Sequence, residues 1–173
     1  AHKGFDLVKA VLEEIICTSD AQFIILGTGE WQFESFFKDI ASRYPGRVSI
    51  TLAFRPDLAS KIYAGSDIFL MPSKSEPCGL SQMIALRYGS IPVVRETGGL
   101  RDTVFDSGLG EGNGFTFPTY NAHDMMHALR RAFEGYADHD GWQILVKRAM
   151  SCDCSWAKSA NEYIKMYKEL IKG

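Results

Sequence analysis

Apolar residues along this chain recur at two spacings, and the alternation between them lays out its elements. Leu7, Val8, Val11, Leu12, Ile15 and Ile16 return every three or four positions behind Lys3-Gly4-Phe5-Asp6, predicting an amphipathic first helix with Asp6 near its positive end. A β-branched run over 22–26 then stops at Gly27-Thr28-Gly29, the pattern of a buried strand and a tight turn. Trp31, Phe33, Phe36, Phe37, Ile40 and Ala41 mark a second helix, closed by Pro45-Gly46. A strand over 48–54 follows, and Pro56 opens a third helix carrying Leu58, Ile62 and Tyr63. The order repeats as strand 68–71, helix 79–88, strand 91–95 and helix 100–105, then a loop over 106–113 and a short strand over 114–117. From 121 onward the pattern is wholly helical, over 121–136, 142–150 and 155–171, and these three helices are expected to wrap the sheet.

Strands alternating with helical stretches imply βαβ units with right-handed crossovers. The expected fold class is α/β, a Rossmann-like parallel sheet with helices on both faces and extra C-terminal helices. With no internal linker or low-complexity tract, residues 1–173 read as one domain. Composition changes this little, since 173 residues that are 46% hydrophobic and 23% charged suffice for a core without disulfides. The formal net charge of -2 offers no general attraction to nucleic acid or acidic membrane, so any anion site has to be local. Cys17, Cys78, Cys152 and Cys154 show no zinc-type or CxxC spacing and read as free thiols of a reducing compartment. No stretch reaches the length of a membrane span.

Several motifs come close to known chemistry and fall short. Gly27-Thr28-Gly29-Glu30-Trp31-Gln32 approaches the dinucleotide fingerprint, but Gln32 stands at its third glycine and the next strand ends in Ala53-Phe54, where a ribose-binding carboxylate belongs. A nicotinamide cofactor is not expected. Gly79-Leu80-Ser81-Gln82-Met83 lacks the second glycine of a nucleophile elbow. His123 and His127 fall on the polar side of a helix whose expected core stripe is Met125, Leu129, Ala132 and Tyr136, with no third ligand, so no metal is expected there.

What remains is the polar turn after the strand that ends at Met71, and a second turn, Thr97-Gly98-Gly99, after the next strand. Strand-to-helix turns are where open parallel sheets bind ligands. Glu76 precedes Pro77, whose ring holds it extended, and backbone N–H groups of Gly79 and Leu80 at a helix start suit an anion or a sugar. A helix-capping carboxylate is the competing reading of Glu76. The second turn, followed by Asp102 and Thr103, adds another donor cradle, so the two turns point to one site.

The segments Asp67-Ile-Phe-Leu-Met-Pro-Ser-Lys-Ser-Glu-Pro-Cys-Gly-Leu-Ser-Gln82 and Pro92-Val-Val-Arg-Glu-Thr-Gly-Gly-Leu-Arg-Asp-Thr-Val104 resemble the signatures of bacterial glycogen synthases and plant starch synthases. The likeness extends to Lys3-Gly4-Phe5-Asp6-Leu7 and to Ser155-Trp156. It implies the C-terminal, nucleotide-sugar-binding half of a GT-B enzyme, in which two Rossmann-like domains face each other across a cleft. It further implies transfer of glucose from ADP-glucose, less commonly UDP-glucose, to the non-reducing end of an α-1,4-glucan, with retention of configuration and without a cofactor or required metal. Carried over by motif, Glu76 and Lys3 would be the catalytic pair, Glu76 at the donor glucose and Lys3 neutralising the departing diphosphate, with help from Arg95. Cys78, Gly79 and Leu80 would line the donor site. Thr97, Gly98, Gly99 and Leu100 would surround sugar and phosphate, with backbone donors from the last three, and Phe54 would stack on adenine. The implied partners are ADP or ADP-glucose, the glucan acceptor and an N-terminal domain of the same enzyme, with neither nucleic acid nor membrane. The implied compartment is the bacterial cytoplasm, or the plastid stroma in a plant.

Ile84 stands where many GT-B transferases carry a second glutamate, which favours the glucan-synthase branch. In that branch a further strand at the sheet centre would precede Lys3, outside these residues, as would the N-terminal domain. The chain by itself is therefore expected to be inactive, and its sheet either to shift its pairing or to expose edges. The alternatives are a GT-B transferase for another nucleotide sugar and a non-catalytic nucleotide- or glucan-binding module.

Overall fold

The computed structural model describes residues 2–172. The helices are α1 (Phe5–Thr18), α2 (Trp31–Arg43), α3 (Pro56–Gly65), α4 (Ser81–Tyr88), α5 (Gly98–Thr103), α6 (Ala122–Ala137), α7 (His139–Met150) and α8 (Trp156–Lys172). The strands are β1 (Phe23–Leu26), β2 (Val48–Thr51), β3 (Ile68–Met71), β4 (Ile91–Arg95) and β5 (Phe115–Phe117), interleaved with the helices in the expected α/β order. The expected helix over 79–88 starts later, at Ser81, because Gly79 takes φ 74, a left-handed conformation open to glycine. The last of the closing helices but one starts earlier, at His139, where the Asp138 side chain accepts from the Gly141 N–H as a cap.

The strands form two parallel ladders. β1 pairs with β2, Phe23 opposite Val48 through Leu26 opposite Thr51. β3, β4 and β5 pair in that order, with Met71 opposite Val94 and Arg95 opposite Phe117. Among the described residues β1 and β3 each keep an unpaired edge. Apolar burial joins the ladders instead. The stripe Leu7, Val8, Val11, Leu12, Ile15 and Ile16 of α1 is buried, α1 packs on α2 and α6, and one core cluster holds these residues together with Phe23 and Ile25 of β1 and Ile68 and Leu70 of β3. Each such side chain stabilises by roughly 1.5–3 kcal/mol when fully buried.

Pro92 lies inside β4, the middle strand of its ladder. The N–H of Ile91 donates towards β3, to the Asp67 carbonyl, so alternation turns the nitrogen of Pro92 towards β5. The β5 ladder begins one residue later, at Val93 opposite Phe115, and no hydrogen bond is lost.

α6 and α7 pack on the sheet and on each other. The core stripe of α6 is Met125, Met126, Ala128, Leu129 and Ala132. Tyr136, expected in that stripe, is half exposed and sets its ring edge-on to Trp142 at 5.2 Å. The expectation that all three closing helices wrap the sheet fails for α8, which is exposed throughout its described length, with Trp156 89% accessible. Its apolar residues cover no layer among the described residues.

Asp106 ties β5 to α6. Arg131 donates to both its oxygens, at 2.7 and 2.9 Å, and the N–H groups of Thr116 and Gly108 donate to it at 2.8 and 2.9 Å. Burial pushes this carboxyl up, but Arg131 and the two N–H groups outweigh it and hold it at about 2, below its ordinary 3.8. A depressed value gives stability that is present above the unfolded value and lost as pH falls through the folded one. Thermal melts are therefore expected to show a loss of stability between about pH 4 and 2 that Asp106→Asn largely lacks; identical acid slopes for the two proteins would contradict this role.

Candidate functional site

Two turns meet at the carboxyl ends of neighbouring strands, one from Met71 to Ser81 and one from Arg95 to Gly98. They interlock backbone to backbone. The Gly99 N–H donates to the carbonyls of Glu76 (3.1 Å) and Pro77 (3.2 Å). A Cβ on Gly99 would stand 1.9 Å from the Cys78 oxygen, and one on Gly98, at φ 44, 2.2 Å from the Glu76 oxygen. Only glycine permits this approach.

The charged groups are pressed onto the first turn. Lys3 Nζ lies 2.5 Å from Glu76 Oε2, and the buried Ser73 hydroxyl donates to the same oxygen at 3.3 Å. Glu76's side chain is 12% exposed and that of Lys3 58%, so the carboxylate is held and shielded while the ammonium stays open to solvent. Lys3 is delivered by the start of α1. Gly4, at φ 77, sits where a Cβ would meet the Pro72 oxygen at 2.1 Å, and the Lys74 N–H donates to the His2 carbonyl at 2.9 Å.

Tyr120 props this corner from below. Its hydroxyl donates to Asp6 Oδ1 at 2.5 Å, and Lys74 and Arg95 lie 5.7 and 5.8 Å from its ring centre. Burial first, and the Asp6 carboxylate second, push the phenol up to about 12, which keeps it protonated as a donor. Arg95 departs from the role expected of it. Its guanidinium donates to the Ser73 carbonyl at 2.9 Å and to the Lys74 carbonyl, bracing the turn from within.

The backbone donors are also redistributed. Of the groups expected around a ligand, the N–H of Thr97 is spent on Arg95, that of Gly99 on Glu76 and Pro77, and that of Leu100 on Thr97. The Leu100 side chain is fully buried. The N–H groups of Gly79, Leu80 and Gly98 have no acceptor among the described residues. Cys78 and Leu80 are exposed beside them. Phe54 is 90% exposed beyond the end of β2, on the other ladder. His123 and His127 lie on the exposed face of α6 with no metal-ligating cluster around them among the described residues.

The site is a shelf open to solvent. Two shallow concavities lie away from it, about 350 Å³ along α8 and about 340 Å³ at the opposite end of β3, the latter lined by Asp67, Tyr88, Tyr136 and Trp142 among others. Sequence reasoning passed over Ser73, Gln82 and Tyr120. A glutamine in the first turn of a helix that packs on a sheet is the one available signal among them.

The sequence pattern described as Glycosyl transferases group 1 matches residues 1–143. The chain is 56% identical over 174 aligned residues to a glycogen synthase of Anoxybacillus flavithermus and 53% identical to one of Geobacillus stearothermophilus, in each case across 99% of this chain. It also matches the catalytic domain of starch synthase IV from Arabidopsis thaliana bound to ADP and acarbose, with TM-score 0.86 and 38% identity over 99% of this chain. It spans 36% of the length of each of these three proteins. No described helix is long and apolar enough to cross a membrane. The likeness read from the two motif segments thus extends over the whole length and into the fold, and the chain belongs to the group 1 glycosyl transferases.

Proposed function

We propose that this chain is the donor-binding part of a retaining glucan synthase, which holds ADP-glucose while glucose passes to the non-reducing end of an α-1,4-glucan. The observation that carries the reading is the Lys3–Glu76 pair set on two interlocked turns beside unpaired N–H groups. The starch synthase bound to ADP and acarbose, at 38% identity, supports the choice of nucleotide and acceptor. As the bond from glucose to diphosphate breaks, its electron pair goes to the phosphate oxygen. Lys3, open to solvent, would move onto that oxygen, and the N–H groups of Gly79, Leu80 and Gly98 would stabilise the charge more in the transition state than before it. Lys3 is the counter-charge in this reading, which calls for no metal or cofactor. Glu76, oriented by Ser73, would accept hydrogen bonds from the glucose hydroxyls, and Phe54 would offer its ring to adenine.

The acceptor contacts are proposed to come from an N-terminal domain of the same enzyme, which the 36% coverage of the relatives supports. The chain alone would then bind donor without elongating glucan. Bacterial glycogen synthases among the relatives fit a cytoplasmic setting.

Calorimetric titration tests the reading. ADP is expected to bind at least about tenfold more tightly than UDP, and Lys3→Ala to weaken ADP by about tenfold, near 1.4 kcal/mol for a lost charge-assisted contact. Equal affinity for the two nucleotides would point to a transferase for another nucleotide sugar. Binding of maltoheptaose with neither nucleotide would point to a non-catalytic glucan module.

A further inference from the structure

Between the two turns lies a buried amide that the proposed chemistry does not use. Gln82, in the first turn of α4, is fully buried. Its Nε2 donates to the carbonyls of Cys78 (3.2 Å) and Gly79 (2.8 Å) and to Thr103 Oγ1 (3.1 Å) at the end of α5. Thr103 Oγ1 gives its own proton to the Gly99 carbonyl at 2.6 Å. Buried Asn113 holds Thr103 in turn, donating to its carbonyl at 3.0 Å.

All three partners of that nitrogen are acceptors, since two are carbonyls and the third has its proton committed. Only the NH2 end of the amide fits there. The Oε1 end is left buried without a donor, 2.5 Å from where a Gly79 Cβ would stand. An orphaned buried acceptor is costly, and an apolar side chain of the same size would fill the space without it. The amide's contribution therefore lies in what its NH2 end holds.

That end holds two peptide planes. In a trans peptide the C=O of one residue and the N–H of the next share a plane and point in opposite directions. Pinning the Cys78 and Gly79 carbonyls inward therefore aims the N–H groups of Gly79 and Leu80 outward, and neither has an acceptor among the described residues. The same strut reaches the second turn through Thr103 and Gly99. We propose that Gln82 and Thr103 are positioning residues that fix the two turns relative to each other and orient the N–H groups which meet the donor. The proposal rests on the reading of this shelf as a nucleotide-sugar site.

The test uses the whole chain with ADP-glucose as the calorimetric probe, each variant compared with wild type at the same pH. Gln82→Glu keeps the shape and turns an acceptor onto three acceptors. Burial raises its carboxyl, so it regains one donor only when protonated. ADP-glucose affinity is expected to fall about tenfold or more near pH 8, the scale of a lost buried hydrogen bond, and to recover partly towards wild type near pH 5.5. Thr103→Val is expected to weaken binding about fivefold to tenfold, and Thr103→Ser to restore it. A readout that needs no ligand accompanies these: amide hydrogen exchange at Gly99 should quicken in Thr103→Val and not in Thr103→Ser. If Gln82→Glu fails to fold, the Thr103 pair decides. Wild-type-like affinity in both Gln82→Glu and Thr103→Val overturns the proposal, as does unchanged exchange at Gly99, whatever binds. A wild-type chain that binds no ADP-glucose overturns the reading of the site, and the proposal with it.

Discussion

Replacing Glu76 by Gln in the complete enzyme proposed above is expected to lower glucosyl transfer by about a hundred- to a thousandfold, the scale of removing one preorganised electrostatic group. ADP affinity should stay within about threefold, a difference below 1 kcal/mol. The contrast follows from the geometry. Glu76 is 12% exposed, takes the Lys3 ammonium and the Ser73 hydroxyl on one oxygen, and has no donor to its other oxygen among the described residues, which leaves that oxygen for a sugar hydroxyl. Its loss removes what the reaction centre would feel and leaves Lys3 and the N–H groups of Gly79, Leu80 and Gly98 for the phosphates. Steady-state rates together with calorimetry separate the two effects. Near-normal turnover would leave Glu76 with only a structural role, the helix-capping alternative open from the sequence.

Gly99→Ala is the substitution with the largest expected effect on stability. The added carbon would stand 1.9 Å from the Cys78 oxygen, against backbone that is itself held by the Gln82 amide. The turns would have to separate, with loss of both hydrogen bonds from the Gly99 N–H. A destabilisation of about 3 kcal/mol or more is expected by chemical denaturation, as for overpacking where no side chain can yield, together with loss of ADP-glucose binding. Gly29→Ala is the matched control, because a Cβ there meets nothing within 4 Å, and it should stay within about 0.5 kcal/mol. Similar values for the two variants would contradict the interlock.

Where local pattern decides structure, the sequence was a sufficient guide. The α1 stripe, the alternation of strands and helices and the placing of two glycine- and proline-marked turns at strand ends all follow from spacing and side-chain type, and all are present. The pairing of Lys3 with Glu76, seventy-three residues apart, entered only through family likeness, because no local rule links a helix start to a turn that distant.

Other features lie beyond reach of the sequence for identifiable reasons. The division into a β1–β2 and a β3–β4–β5 ladder is set by pairing between distant segments, which no single strand encodes. α8 has an amphipathic pattern, but a pattern shows that a face is apolar and does not supply the surface that covers it. Arg95 reads as a free cation until two carbonyls of the neighbouring turn are seen to claim it. Glycines in a ligand turn read as backbone donors, yet the N–H of Gly99 is spent on the close approach that makes glycine necessary there. Gln82 hides for a similar reason, since its partners are backbone carbonyls, which carry no sequence signature.

The central claim is that the turns at Glu76 and at Thr97-Gly98-Gly99 form one nucleotide-sugar site. The most direct measurement is an NMR titration of the 15N-labelled chain with ADP-glucose, following backbone amides. The expected result is saturable shifts concentrated at Gly79, Leu80 and Gly98, with Phe54 shifting as adenine stacks and residues around Asp67, Tyr136 and Trp142 unmoved. Shifts centred on that opposite end of β3 or along α8, with the two turns silent at saturation, would contradict it.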